Sequence, residues 1–516
     1  MLRFKPLGAI AASVALAAVV AGCSSSSSAS SGSTAGKSAT GQPTGNLRLG
    51  VVTSPKTLTA AGGQSGQYSP FFQTVYDPLL RAAPDGTVGP GLASAWQYND
   101  DKTQLTLTLR EGVTFSDGTA FDAAAAKANM DAFLKDGIGK SYLASVTGVT
   151  APDAHTLVLT LKAADPGLLV NLADATSYMQ SPATLGKAEA ATDPIGTGPY
   201  VMDKASTVIG STYVYKANPK YWDPSKIHYG KITLNVYTTA TAEVNAVKSG
   251  QIDAGALVTN QVAADVKAVS GWTVQTQPLD LAGMFIYDRA GKVNPALANV
   301  KVRQAMNHAF NRDALLKAVN QSMGTATAQP FNTGSAAYDA SLNAQYAYDP
   351  AAAKALLVEA GYPNGVDLSV PMTSSNASLF TFVKQQLDDA GFHTTLVDAG
   401  TNYVSDILAG KYALAFFQNA NAIDWTFIVS AVDTNAQFNP LHYTDDTSAA
   451  LIQKVRTTEG AARDQALKDL NTYLTKQAWF APWYQADNGF AVGAKTKVTL
   501  QKGNAFPSIW NFAPAS

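Results

Sequence analysis

Leu109-Arg110-Glu111-Gly112-Val113-Thr114-Phe115-Ser116-Asp117-Gly118-Thr119, preceded by Pro90-Gly91-Leu92-Ala93-Ser94-Ala95-Trp96, is the part of the chain whose reading decides the fold. It begins at the end of residues 104–110, where Leu105, Leu107 and Leu109 alternate with polar neighbours at the period of a half-buried strand. Ser116-Asp117-Gly118-Thr119 is turn chemistry. Asp122 then caps an Ala-rich helix to about Leu134, with Met130, Phe133 and Leu134 on its buried side. Trp96 and Phe115 are most simply core, and residues 155–162 form a second alternating strand.

Outward from this unit, strands and helices continue to mix. Folded structure is expected to begin at Asn46, where Leu47, Leu49 and Val51 alternate with polar or small residues. A Gly/Ser/Gln-rich loop at 60–69 follows. Further on, 231–237 reads as a strand, 241–248 as a short helix closed at Gly250, and 301–319 as one amphipathic helix. Asp349-Pro350 opens a helix that Gly361 ends, and 380–390 is a third, followed by a strand at 393–397. No repeat recurs, so the class is α/β or α+β with more than one lobe.

The amino-terminal end carries a separate message. Arg3 and Lys5 precede an apolar run at 7–20, about 14 residues where a bilayer-spanning helix needs roughly 20. Those are the length and flanks of a signal-peptide core. The run ends at Val20-Ala21-Gly22-Cys23, with the only cysteine of 516 residues at the junction. A signal peptide ending on a cysteine resembles the bacterial lipobox, which implies lipidation of Cys23 and a protein held on the outer face of the cytoplasmic membrane. An ordinary signal peptide that happens to contain a cysteine is the alternative. Residues 24–45 are nearly all Ser, Gly, Ala and Thr, a flexible tether of roughly 25 Å. The stretch at 32–38 imitates a phosphate-binding loop but has three residues between its glycines where four are required.

The totals exclude several classes. A net charge of -1 offers nothing to nucleic acid, and a single cysteine excludes disulfides and thiolate metal sites in the folded body. The five histidines are scattered, with no His-Glu-x-x-His pair and no Gly-x-Ser-x-Gly elbow. A tethered hydrolase built from distant residues stays open as an alternative, but no enzyme activity and no cofactor are expected.

Seven stretches together carry a family resemblance. They are the two quoted at the outset, Pro194-Ile195-Gly196-Thr197-Gly198-Pro199-Tyr200, Asn218-Pro219-Lys220-Tyr221-Trp222, Gly250-Gln251-Ile252-Asp253-Ala254, Val302 to Ala309 (VRQAMNHA), and Tyr348 to Pro363. In this order they resemble the extracellular solute-binding proteins of peptide/nickel-type ABC importers, family 5. Each stretch also reads as scaffold. The resemblance implies an α/β, two-lobed periplasmic-binding-protein-like fold of type II with an extra amino-terminal subdomain. Lobe I would comprise 46–67, 186–281 and 485–516, the subdomain 68–185, and lobe II 282–484. The chain would cross between lobes near Leu281 to Met284 and near Trp483 to Gln485.

The implied function is capture of a small solute, a short peptide or other amine-bearing compound, by a monomer that hands it to permease subunits. Nickel chelates, sugars and a sensor without transport remain open. In many peptide-binding relatives an aspartate pairs with the ligand's amino group. The matching segment here resembles Asn419-Ala420-Asn421-Ala422-Ile423-Asp424-Trp425, so Asp424 is the candidate partner, with a turn or cap role as the alternative. Asn421 lies in the same segment, and Trp425, Phe438 and Tyr403 could wall a ligand. Met284, at a crossing, and Tyr68, in the first loop, are candidates by position.

Overall fold

Two strands, Trp272–Ile286 and Phe480–Gly493, run antiparallel over nearly their whole lengths, from Trp272 opposite Gly493 to Phe285 opposite Phe480. In this computed structural model the described residues are Pro43 and 45–515; Cys23, the apolar leader, the tether as far as residue 42 and the stretch at 32–38 lie outside them. Past Phe480–Gly493 the sheet continues through Ala254–Ala256, Asn46–Val51, Lys231–Val236, Thr212–Ala217 and Tyr200–Met202. Leu414–Ala420 closes its other side. The amino-terminal strand is parallel to both of its neighbours. The segments read from the sequence as lobe crossings lie opposite each other, Leu281 against Gln485 and Ala282 against Tyr484. The register slips between Ala282 and Gly283, where a β-carbon at 283 would lie 2.7 Å from the Ala481 carbonyl oxygen. Only glycine lets the backbones approach so closely at this bulge.

Buried side chains fall into separate cores on the two sides of this crossing. One gathers Leu47, Leu49, Tyr213, Tyr215, Ile232, Phe490 and Phe512. Two others, around Trp483 and around Trp479, draw almost entirely on residues 281–486. A further core, from Leu79 to Met179, fills a four-stranded antiparallel sheet of Ala93–Tyr98, Gln104–Leu109, Thr156–Leu161 and Val146–Asp153. Helix Ala123–Asp136 packs on it, with Asp122 accepting from the Ala125 amide.

Two sequence expectations are corrected. The segment 69–76 packs with the main sheet rather than with the subdomain core. Phe71 meets Tyr213 edge-on at 4.9 Å, and the Tyr76 hydroxyl donates to the Leu58 carbonyl. The single helix expected at 301–319 is two, Val300–His308 and Arg312–Asn320. Asn311 caps the second by accepting from the Ala314 amide. The fully buried Phe310 sits at the break, 5.5 Å from Trp483, and Arg312 donates to the carbonyls of Thr327, Pro482 and Tyr346. The apolar period runs across such a break unaltered, because both helices present their apolar faces to one core.

The sequence motifs serve as scaffold. Asp117 accepts from the Thr119 amide and the Ser181 hydroxyl, and the Ser116 amide donates to the Gly196 carbonyl, tying two motifs together. Trp222 Nε1 donates to the buried Asp77, and Arg303 donates to the carbonyls of Leu297, Ala298 and Gln477. Phe115 is fully buried and Trp96 half-buried against the subdomain core.

One buried acid carries a pH dependence. Glu243, on helix Ala240–Lys248, is 2% exposed, accepts from the Val258 amide, and burial pushes its carboxyl up to about 7. Below an unfolded-state value of about 4.5 its neutral form is buried at little cost. As pH rises through 7 the folded state must hold a charge there, and stability falls by at most roughly 3 kcal/mol. Glu243→Gln is therefore expected to flatten the loss of melting temperature between pH 5 and pH 8. Parallel pH profiles for variant and parent would exclude this.

Candidate functional site

The pieces meet at a cavity of about 690 Å³, the size of small-molecule sites. The loop around Gly63 to Tyr68 forms one wall, with Ile138, Tyr142, Asn171 and Asp174 from the subdomain. Leu279 and Asp280, on the long strand, form the floor. Ala420, beside Asp280 in the sheet, and Ala422, Ile423 and Thr426 extend the lining, and the carboxy-terminal segment adds Lys502, Asn504 and Ser508. A second cavity, of about 500 Å³, lies among 367–369, 392–395 and 411–414. Its lysines are already engaged, Lys384 with Asp388 at 2.6 Å and Lys411 with Asp406 at 2.7 Å. None of the seven family stretches lines the larger cleft.

Its electrostatics are set by three charged side chains. Asp280 follows a register slip between Pro278 and Asp280, and its neighbours across the sheet are Ala420 and Ala486. Its one side-chain partner among the described residues is Gln418 Nε2 at 2.9 Å. Burial raises its pKa, with the Gln418 hydrogen bond opposing. Asp174 accepts from the Tyr178 hydroxyl at 3.0 Å, and burial raises its pKa too. Tyr178 is held by stacking on Phe72 and Tyr76 at 6.1 and 6.2 Å. Lys502 is exposed, and its charge lowers the pKa of Asp85 and opposes the effect of burial on Asp424.

The residues expected from the sequence are placed as follows. Tyr68 lines the cleft. Asp424 flanks it between the lining residues Ile423 and Thr426; its Oδ1 is buried without a partner, and burial raises its pKa. Asn421 is 1% exposed and spent on structure: it exchanges two hydrogen bonds with Gln485, at 2.9 and 2.8 Å, and donates to the Pro330 carbonyl. Met284 is fully buried in the core around Trp483. The Tyr403 hydroxyl donates to the Phe416 carbonyl, and Phe438 packs 4.4 Å from Phe417, so both lie against the core rather than along the cavity. Trp425 Nε1 donates to Asp165 Oδ1 at 3.1 Å. Asp280 and Asp174 were not singled out. An acid amid the apolar Pro278-Leu279-Asp280-Leu281-Ala282 was a usable signal; Asp174 offered none.

Trp425 also joins the two sides of the cleft. Asp165, its acceptor, is fixed by the Ser145 hydroxyl and the Gly167 amide. A β-carbon at Gly167 would lie 2.7 Å from Trp425 Cδ1, so glycine makes room for the indole. Arg456 lies 5.4 Å over the ring, and Lys102 pairs with Glu459 in a second cross-connection.

Two halves joined by paired crossing strands, with a solute-sized cleft between them, define a two-lobed binding protein of type II. The chain belongs to a family within that class: the family model described as bacterial extracellular solute-binding proteins, family 5 Middle, matches residues 87–434. The glutathione-binding protein GsiB of Escherichia coli O1:K1 is 31% identical over 320 residues, 60% of this chain. The match spans 61% of that relative's length. HbpA2 from Haemophilus parasuis superposes with a TM-score of 0.80 at 20% identity, covering 92% of this chain and 100% of that one. DppA from Helicobacter pylori, in complex with peptide STSA, gives 0.74 at 20% identity, covering 92% and 99%. At these identities the structural likeness shows the fold. Among the described residues no helix is long and apolar enough to cross a membrane, and no three side chains group to hold a metal.

The Trp425–Asp165 bridge gives a measurable expectation. Hydrogen bonds of this kind are worth about 1 kcal/mol, enough to move a two-state closure equilibrium several-fold. Trp425→Ala is expected to raise the radius of gyration of the unliganded protein in small-angle X-ray scattering. An unchanged radius would remove the bridge as a brace between the halves.

Proposed function

We propose that this chain is the solute-binding component of an ABC importer, capturing an amine-bearing solute such as a short peptide and delivering it to permease subunits. Residues 46–67, 186–281 and 485–516 would form the lobe that closes against 282–484, with the subdomain as the outer wall. Cys23 would carry the lipid that holds the monomer on the outer face of the cytoplasmic membrane, with residues 24–45 as its tether. Family membership supports the solute-binding role, and similarity to a glutathione-binding protein and to a protein in complex with a peptide supports a peptidic ligand.

The observation that carries the reading is Asp280, a largely buried carboxylate lining the cleft with one amide partner and, among the described residues, no ion pair. A desolvated carboxylate is costly until a charge arrives to pair with it, which makes it selective for an ammonium group. Ligand contact with both halves then favours the closed form by its differential affinity. Asp424 is assigned to the rim, beside the lining residues Ile423 and Thr426.

Asp280→Asn is expected to weaken an amine-bearing ligand at least tenfold in calorimetry, and Asp424→Asn by less. A larger loss in Asp424→Asn would reverse the assignment of the two acids. Unchanged affinity in Asp280→Asn would remove that residue from the site.

A further inference from the structure

The cleft holds more acceptors than one ammonium needs. Asp174 stands on the subdomain wall and Asp280 on the floor, and both line the same cavity. Asp174 accepts from the Tyr178 hydroxyl and Asp280 from Gln418 Nε2, and among the described residues neither acid makes an ion pair. The other acids engaged by basic residues make the contrast: Asp77 and Asp223 share Arg81, and Asp253 takes a double contact from Arg48.

Two independent observations point the same way. Ser508 lines the cavity, is 4% exposed, and its hydroxyl has no partner among the described residues. Gln67 Oε1, in the loop forming the outer wall, is also buried without a donor. Unmet acceptor capacity is expensive to bury, and a ligand rich in N–H donors satisfies it. Among the described residues Lys502 is the one basic side chain lining the cavity, and it forms no ion pair with either carboxylate.

Building on the amine-binding reading above, we propose that the cleft takes a solute with two cationic amines, one against Asp280 and one against Asp174, with the Ser508 hydroxyl and Gln67 Oε1 accepting the remaining N–H groups. The shared chemistry is a dication that reaches both acids within one cavity. A free linear polyamine supplies it, and so does a short peptide whose amino terminus is followed by a lysine side chain. Closure on such a ligand neutralises both carboxylates at once. Asp174 thereby becomes the residue that separates dications from simple amines, and Tyr178 holds it in place.

The test is calorimetry on the purified protein with four sets of probes: diamines and spermidine of graded length, lysine-containing tripeptides, the same tripeptides with alanine for lysine, and linear monoamines. Dications of one length range are expected to bind at least tenfold tighter than the matched monocations, and Asp174→Asn to narrow that ratio below two. Tight polyamines with weak lysyl peptides would identify the free-polyamine source, and the reverse order the peptide source. Monocations binding as tightly as dications would overturn the two-point reading and leave the amine reading standing. Binding by none of the probes, or by uncharged compounds alone, would overturn both. Should Asp174→Asn fail to fold, the probe series on the unaltered protein decides the question.

Discussion

The pairing of Trp272–Ile286 with Phe480–Gly493 is the constraint on which the rest depends. Phe480–Gly493 contributes Ala481 and Trp483 to one core and Phe490 and Val492 to another. Trp272–Ile286 adds Ala282, Met284 and Ile286 to the first and packs Trp272 and Val274 on a smaller core around Val247, so the halves are joined by main chain rather than by a loose linker. A buried amide exchange between Gln485 and Asn421 locks the crossing to Leu414–Ala420, and Asn332 adds donors to Asn421 and to the Pro278 carbonyl. Breaking one member would strand buried polar groups, each costing about 1–3 kcal/mol. The network therefore holds the register that places Asp280.

That register decides the chemistry of the cleft. The slip after Pro278 brings Asp280 between two alanines, with a glutamine as its partner. The opposite wall repeats the arrangement by other means, with Asp174 held by a tyrosine that is itself stacked on two aromatic rings. Both acids sit where burial disfavours their charge, and a cationic guest relieves that cost.

The motifs and the site are separate populations of residues. Ser116, Asp117, Gly196, Arg303 and Asn307 spend their polar groups on backbone carbonyls, amides and one another, which fixes the fold whatever is bound. Cleft residues come from loops, a bulge and the carboxy-terminal segment, where side chains change without disturbing a core. Trp425 illustrates how type alone misleads. An aromatic near a carboxylate fits a ligand wall, but its indole N–H reaches Asp165 instead.

The sequence by itself determined many of the elements, their mixed α/β order and the family, because periodicity, caps and motif order are local properties of the chain. Of its candidate residues, Tyr68 lines the cavity and Asp424 flanks it. Tertiary structure alone decided that Asp280 and Asp174 share one cavity, that Asn421, Met284, Tyr403 and Phe438 belong to the scaffold, and that 301–320 is broken at Phe310. The physical reason is distance along the chain. Asp174 and Asp280 are separated by more than 100 residues, and which acids are left without a cation is settled only when every basic side chain has found its place.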